Sequence, residues 1–243
     1  IMSAGNWRQT GVQFSTRPHI LTVCFIMGLA FLLFPSAAYA ETIPVTNTLG
    51  SGTGSLSDAL VRANGNGQAD DIVFDTSVFN VPLTIIPDGT LGVGGDGGNS
   101  LTLYGPTATT LRISGNNARQ VFNIAAGANV TITNLVVEQG STSYGGGLLN
   151  LGTLTLDSCT FISNTASTRG GAISNGGTLV VLNTTISSNT VSSENGGGIS
   201  TDGTNIFRIK NSYANFNIGP VNALVGLQYR VLNRGFLFDD DFA

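Results

Sequence analysis

The sequence predicts an all-β fold, a single-stranded right-handed parallel β-helix with three short strands in each coil and an amphipathic capping helix near its amino end. The coils are predicted because a unit that begins at Gly145 is written three times and contains short apolar segments separated by turn residues. The cap is predicted because one amphipathic helical segment precedes the repeats. About six coils fit between Asp71 and Asn217 if roughly 24 residues make each one.

The repeated unit runs from Gly145 to Asn164, from Gly170 to Asn189 and from Gly196 to Asn217, with a period of 25 to 28 residues. A fainter copy lies upstream, where Val130–Asn134 aligns with Leu154–Ser158. Apolar and polar residues alternate within these segments, and the Gly-rich breaks leave no room for helices. Such a unit cannot bury its inward face alone. Coils stacked at about 4.8 Å would form a continuous core and three parallel sheets.

Recurring glycines and asparagines mark the corners of the predicted coils. The glycines start each copy, at a corner where positive φ or the close approach of the next coil excludes a β-carbon. The asparagines recur at another corner, where side-chain amides can bond to neighbouring backbone or to one another along the stack. We interpret the recurring positions as structural; they are Gly145, Gly146, Leu148, Phe161, Asn164, Gly170, Gly171, Ile173, Ile186, Asn189, Gly196, Gly197, Ile199 and Asn217.

The first 40 residues have the pattern of a secretory signal peptide. Arg8 and Arg17 precede a 14-residue apolar run from Leu21 to Phe34, and small residues at Ala38 and Ala40 follow it. The run is shorter than the about 20 residues that span a bilayer as a helix. We therefore expect cleavage after Ala40, no membrane span in the mature chain, and a protein that is secreted or held at the cell surface, in the extracellular space or at the outer membrane.

Cleavage would leave an acidic mature chain with 8 basic and 14 acidic residues, a net charge near −6. With a single Lys there is no basic stripe to neutralise phosphates, so nucleic acid is not expected as a partner. Cys159 would then be the sole thiol, with no His left to activate it. We expect Cys159 to be a buried core residue, with no disulfide in the mature chain.

Residues 41–80 are expected to form an N-terminal cap that contains a helix over residues 55–64. Ser55 caps the amino end of this helix with Asp58 three residues on, and Gly65 suits the terminating position. An apolar stripe follows one side of it: Leu56, Ala59, Leu60 and Ala63. The helix would cover an open end of the solenoid, where core and strand edges are otherwise exposed. Residues 81–217 would form the coils, and residues 218–243 a C-terminal cap or a truncated continuation.

Catalysis on this fold needs a carboxylate pair, a base or a metal cluster projecting from adjacent coils. The sequence offers no evident stacked pair of carboxylates, and the only catalytic candidates are Asp70, Asp71 and Asp75. Neither a cofactor nor a metal is expected, because the Gly-rich loop at 92–98 has no Lys-bearing helix after it and no nonapeptide period. An outward ladder of threonines, Thr131 and Thr155, is interrupted by Val180.

Two stretches resemble bacterial surface proteins. Phe161-Ile162-Ser163-Asn164, followed by Gly170-Gly171-Ala172-Ile173, resembles the paired repeats of polymorphic outer membrane proteins. The flanks of Ser55-Leu56-Ser57-Asp58-Ala59-Leu60 resemble the amino-terminal region of CSLREA-type β-helix proteins, although Gly54, Ser57 and Asp58 replace the Cys, Arg and Glu of that motif. Both resemblances imply a pectin-lyase-like right-handed β-helix that is displayed at the cell surface, with adhesin-like or unknown roles.

The leading hypothesis for function is therefore an adhesin-like binding or structural rod without catalytic activity, whose lateral faces hold an unidentified surface ligand, either polysaccharide or protein. The alternative is a carbohydrate-active enzyme, a pectate-lyase-like polysaccharide lyase or a glycoside hydrolase that uses the three aspartates. A third hypothesis is a structural spacer within a larger surface protein. Depolymerisation of a polyuronate that one acidic substitution abolishes would identify the enzyme, and the sequence of a longer reading frame would identify the spacer.

Overall fold

The computed structural model describes residues 40–94, 99–107, 110–192 and 197–201, together with the backbone of five strands between residues 207 and 238. The expected signal peptide lies outside the described residues apart from Ala40, and so does Gly196. In chain order the elements are β1 (Glu41–Val45), helix α1 (Leu56–Ala63), β2 (Asp70–Phe74), β3 (Leu83–Ile85), β4 (Leu91–Val93), β5 (Ser100–Tyr104), β6 (Leu111–Ser114), β7 (Phe122–Ile124), β8 (Asn129–Thr133), β9 (Val136–Glu138), β10 (Ser141–Tyr144), β11 (Leu148–Asn150), β12 (Thr153–Asp157), β13 (Thr160–Ile162), β14 (Thr165–Arg169), β15 (Ile173–Asn175), β16 (Thr178–Leu182), β17 (Thr185–Ser187), β18 (Thr190–Val191), β19 (Ile199–Thr201), β20 (Phe207–Lys210), β21 (Tyr213–Ile218), β22 (Val221–Gly226), β23 (Tyr229–Leu232) and β24 (Gly235–Phe238).

The strands stack into a parallel β-solenoid of about six turns, which confirms the predicted fold class. Sheet A contains β1, β2, β5, β8, β12, β16 and β20 in that order; sheet B contains β3, β6, β9, β13, β17 and β21; sheet C contains β4, β7, β11, β15 and β19. The central coils also contribute a fourth strand each, and these strands (β10, β14 and β18) form the short sheet D. Sheet D adds to the three strands per coil that the sequence predicts.

Alternation along each strand separates the core from the surface. In β12, Leu154 and Leu156 are fully buried while Thr155 between them is partly exposed. The pairing register repeats this pattern, because Leu154 lies between Val130 and Leu179 on the neighbouring rungs. Burial of one such side chain contributes about 1.5–3 kcal/mol. The inward columns of sheets A, B and C therefore form the continuous core that no single rung could form.

Glycines shape the corner that precedes sheet C. Gly145 and Gly170 adopt φ of +62° and +61°. A β-carbon on either glycine would collide with the backbone oxygen of Leu148 or Ile173. The recurrence of glycine here therefore follows from both conformation and the close approach of backbone.

Asparagine side chains link the rungs at the corner between sheets B and D. Asn164 Oδ1 accepts from the Gly140 N–H at 2.8 Å, and Asn164 Nδ2 donates to Asn189 Oδ1 at 3.0 Å. Asn189 Nδ2 donates in turn to the Phe161 carbonyl at 2.9 Å. Asn217 lies within β21, where its backbone pairs with Asn222 of an antiparallel strand.

A second asparagine ladder, which the sequence analysis did not anticipate, lies inside the core at the end of sheet C. Asn150 and Asn175 occupy inward positions in register, and Asn150 Nδ2 donates to Asn175 Oδ1 at 2.6 Å. Asn175 Nδ2 donates onward to the Thr201 hydroxyl at 3.1 Å. Because both asparagines are buried, these bonds satisfy polar groups that would otherwise be costly to desolvate.

Helix α1 has the predicted caps and apolar stripe. Ser55 Oγ accepts from the Asp58 N–H at 3.1 Å, and the Asp58 carboxylate accepts from the Gly54 N–H at 3.0 Å. The buried residues are Leu56, Ala59, Leu60 and Ala63. The helix ends at Ala63, with Asn64 as its C-cap and Gly65 directly after the cap. It packs against β1, β2 and β4, the strands at the amino end of the stack.

The first strands of sheets A and C carry features that block part of their free edges, and the first strand of sheet B is flanked by prolines. In β1, Glu41 and Val45 bond to β2, so Pro44 between them faces the free edge with no N–H to offer. β3 lies between Pro82 and Pro87. In β4 the free edge is occupied by Asn64, whose amide donates to the Gly92 carbonyl at 3.0 Å and accepts from the Gly94 N–H at 2.9 Å.

At the carboxyl end of the stack, strand pairing changes from parallel to antiparallel. β22 pairs antiparallel with β21; in sheet A, β23 pairs antiparallel with β20 and β24 pairs antiparallel with β23. The segment expected as a C-terminal cap or a continuation therefore adds three antiparallel strands. At the amino end, β1 and β2 are already rungs of sheet A, so the segment expected as a cap also contributes to the stack.

Candidate functional site

The three aspartates named as catalytic candidates point in different directions. Asp70 is 3 % exposed and points inward from the start of β2, whereas its neighbour Asp71 points outward. Asp75 follows the end of the same strand, where Ser77 donates two hydrogen bonds to its carboxylate at 2.7 and 2.8 Å. These bonds lower the pKa of Asp75. The three carboxylates thus do not form the facing pair that a polysaccharide lyase or hydrolase uses.

Asp70 instead pairs with a residue that the sequence analysis missed. Glu41 of β1 is its register partner on the neighbouring rung, which corrects the expectation that no carboxylates stack. Asn66 Nδ2 lies 2.8 Å from Asp70 Oδ1 and 3.4 Å from Glu41 Oε2, and Arg62 Nη2 lies 2.7 Å from Glu41 Oε1. A register between segments on either side of a helix leaves no periodic signal in the sequence.

This carboxylate pair ties the capping helix to the first two rungs. A general acid must reach the substrate, but Asp70 is almost fully buried and already accepts a hydrogen bond from Asn66. Glu41 is engaged by Arg62 in an ion pair whose side chains are nearly half exposed. The arrangement holds the end of α1 against β1 and β2 without presenting two free carboxylates to a ligand.

A regular array of side chains, most of them polar, lies on the outward face of sheet A, and we call it the threonine face. It spans four rungs and three columns, and consists of Ser100, Thr102 and Tyr104 on β5, Asn129, Thr131 and Thr133 on β8, Thr153, Thr155 and Asp157 on β12, and Thr178, Val180 and Leu182 on β16. Thr102, Thr131 and Thr155 stand in one column. The ladder predicted from Thr131 and Thr155 is thus one residue longer at its amino end, and Val180 follows Thr155 in the same register.

The threonine face presents hydroxyl and methyl groups at regular intervals. Adjacent rungs are about 4.8 Å apart, and alternate residues along a strand are roughly 6.6 Å apart. The outer column of Ser100, Asn129, Thr153 and Thr178 is exposed, and Tyr104 is 44 % exposed. Within the described residues, the hydroxyls of Thr102, Thr131 and Thr155 make no hydrogen bond to protein groups, so they are available to a ligand.

Cys159 lies in the core and has no chemical role at the surface. It is 2 % exposed, and its Sγ lies 3.4 Å from the carbonyl oxygens of Ile132 and Asp157. Burial raises the pKa of the Cys159 thiol from 9.0 to about 11. The thiol is therefore protonated at neutral pH, as suits a small buried side chain.

Two kinds of feature are absent from the part of the chain that the structure describes. It contains no helix that is both long and apolar enough to cross a bilayer. It also contains no cluster of three or more His, Cys, Asp or Glu side chains that could hold a metal ion.

Comparison with family models, with curated proteins and with solved structures finds no match to this chain. The fold and the threonine face define the molecule at the level of its class. It is a parallel β-solenoid protein with a regular polar face on its longest sheet.

Proposed function

We propose that the chain is an exported β-helix protein, secreted or displayed at the cell surface, that works as an adhesin-like binding rod. In this proposal the solenoid is a rigid support, and the threonine face is the surface that holds the partner. The resemblance of the repeats to polymorphic outer membrane proteins, and of the amino-terminal segment to CSLREA-type proteins, supports an extracellular role.

One observation carries the binding part of this proposal. The register of β5, β8, β12 and β16 places twelve side chains in three columns, and eight of them bear a hydroxyl group, of which that of Thr133 is buried. Side chains held on rigid strands lose little conformational freedom when a ligand binds, which lowers the entropic cost of association. An extended partner that follows the central column would meet a hydroxyl at three successive rungs, those of Thr102, Thr131 and Thr155.

The start of the solenoid supports the export part of the proposal. The predicted cleavage after Ala40 would make Glu41 the first residue of the mature chain, and Glu41 is also the first residue of β1. The Glu41 nitrogen donates to the Ala69 carbonyl at 3.1 Å, a bond that an ammonium group retains. Cleavage at this bond would therefore remove no residue of the first rung.

Two measurements test this function. The full chain is expressed in a bacterial host, the fractions are separated, and the amino terminus of the exported protein is determined by mass spectrometry; we expect a terminus at Glu41 outside the cytoplasm. Purified protein is then incubated with isolated cell envelopes, and we expect it to sediment with them. Retention of the full chain in the cytoplasm, or the absence of envelope binding, would contradict the proposal.

A further inference from the structure

We propose that the partner of the threonine face is a neutral polysaccharide, bound with its chain along the stack. The inference rests on the proposed function, because it names the substrate class of the surface assigned there. The size, the charge and the chemistry of that face support a neutral polysaccharide as the partner.

The size of the face favours a glycan over a protein. Four rungs and three columns span roughly 14 Å along the stack and about 13 Å along the strands. A stable protein interface buries about 800 Å² on each partner around large apolar anchors. The threonine face is several-fold smaller, and its exposed large ring is the single residue Tyr104. An oligosaccharide segment fits within these dimensions.

The chemistry of the face matches a sugar ring. A pyranose has hydroxyl groups around its edge and C–H groups on its faces, and threonine offers both a hydroxyl and a methyl group. Asn129 adds an amide at the exposed column, and Tyr104 adds an aromatic ring with an apolar body and a polar tip. Val180 and Leu182 extend the apolar part of the face on the last of the four rungs.

The charge of the face favours a neutral polymer. Among its twelve residues the only ionisable carboxylate is that of Asp157, which accepts hydrogen bonds from Ser158 and Asn183. On the neighbouring rungs of sheet A, Asp71 lies in line with the central column before the face, and Arg208 and Lys210 are the register partners of Val180 and Leu182 after it. Neither Lys nor Arg is present on the twelve positions of the face itself. On the face itself, a polyuronate or another anionic polymer would therefore meet one carboxylate and no cation.

The test uses the full chain and a panel of insoluble polysaccharides. Wild-type protein is incubated with microcrystalline cellulose, chitin and an insoluble β-1,3-glucan, and with calcium-gelled polygalacturonate as the anionic member, and the sedimented fraction gives an apparent affinity. We expect binding to at least one neutral member and weaker binding to polygalacturonate.

A triple variant and a matched control locate the binding surface. Thr102→Val, Thr131→Val and Thr155→Val together remove three hydroxyls of the central column, and we expect the apparent affinity to fall roughly tenfold or more. The control replaces Thr84, Thr160 and Thr185 with Val in one outward column of sheet B. The control triple is expected to bind like the wild type, and circular dichroism shows whether both variants fold.

The outcomes separate this inference from the proposed function. Envelope binding that the threonine-face triple abolishes, without binding to any neutral polysaccharide, would leave the proposed function standing and overturn the glycan. Tighter binding to polygalacturonate, or equal losses in the two triples, would also overturn it. Thermal hysteresis in freezing solutions that the threonine-face triple abolishes, without glycan binding, would assign the face to ice instead.

Discussion

Left-handed backbone at the corners falls on ordinary side chains as well as on glycine. Between sheets A and B the positive φ values lie at Asn134, Ser158 and Asn183, and between sheets B and D at Gln139, Ser163 and Ser188. For an L-residue this conformation costs roughly 1–2 kcal/mol, less for Asn. The coils therefore retain local strain at corners where the sequence shows no glycine, and for that reason these corners could not be recognised from glycine positions alone.

Replacing Ser163 with Gly is expected to stabilise the fold. Ser163 has φ of 56°, is exposed and makes no side-chain hydrogen bond within the described residues. Glycine relieves the strain but loses more entropy on folding, so the free energy of unfolding should rise by about 0.5 kcal/mol. Urea denaturation measures this change in the free energy of unfolding. Ser100→Gly, on an exposed residue of β5 that pairs in regular register and has no positive φ, should lower the free energy of unfolding by a similar amount; a loss in both variants would contradict strain at Ser163.

Cys159 is expected to resist modification and to make the fold sensitive to alkaline pH. In a Cys24→Ser background, a thiol-specific reagent at pH 8 should react far more slowly with folded than with urea-unfolded protein, because the pKa of Cys159 is about 11 in the fold. Since the folded pKa exceeds the unfolded value near 9, the stabilising difference is complete below pH 9 and is lost as pH rises towards 11. The free energy of unfolding should thus fall more steeply over this range than in Cys159→Ala. Equal slopes would contradict the shifted pKa.

At the scale of elements, the asparagine ladder is a rung-to-rung connection whose removal leaves buried groups unpaired. Asn164 is fully buried and bonds to three partners: Gly140 N–H, the Val137 carbonyl and Asn189. Asn164→Ala should lower the free energy of unfolding by about 2–3 kcal/mol, because the buried N–H and C=O lose their partners. Chemical denaturation provides the value.

Asn123 is a matched control for the ladder. It lies on β7 with its Oδ1 buried and without a hydrogen-bond partner in the described part of the chain. Asn123→Ala removes an unsatisfied acceptor, so it should cost clearly less than Asn164→Ala. Similar losses in the two variants would mean that the ladder bonds add little.

Asn64 is expected to protect the free edge of β4. Asn64→Ala would leave the Gly92 carbonyl and the Gly94 N–H exposed to pairing with another chain. We expect a loss of about 1 kcal/mol in the free energy of unfolding and a concentration-dependent increase in sedimentation coefficient. Asn80→Ala, whose side chain makes one bond of 3.3 Å to Ser77, should leave the sedimentation unchanged. A monomeric Asn64→Ala protein would disprove the edge role.

The elements could be predicted from sequence to the extent that apolar alternation marks them. Sheets A to C and the stripe of α1 follow from such patterns. Sheet D could not be predicted in this way, because β14 buries only Ala166 and its other residues are polar. Asn150 and Asn175 look like turn residues after short apolar segments, yet they point into the core. Only part of the threonine face could be predicted from sequence, the pair Thr131 and Thr155. Thr102 joins their column through a register that the repeat does not show.

For the whole molecule, the stack predicts that an entire coil can be removed while a fraction of one cannot. Thr165 and Thr190 are register partners on adjacent rungs of sheet D, so deleting residues 165–189 joins Asn164 to an equivalent position. Because each rung of a solenoid contacts only its neighbours, the shortened protein should fold with β-type circular dichroism and a lower unfolding midpoint.

A deletion of 20 residues, 165–184, is the control, because it shifts every later side chain out of its column. We expect it to yield aggregated protein without a cooperative unfolding transition. A cooperative fold for the 20-residue deletion, or its absence in the 25-residue deletion, would argue against repeat stacking as the source of stability.

Pro44 in β1, the prolines around β3 and Asn64 on β4 make the amino end of the stack a poorer site for strand pairing than its growing end. Synthesis also runs from the amino end, so the rungs made first are those whose outer edges are partly blocked. Each later rung then finds a single growing surface, and a coil that pairs out of order has no second template to bind. The order of synthesis and the order of stacking thus coincide, and the amino-terminal rungs serve as the template for the rungs that follow.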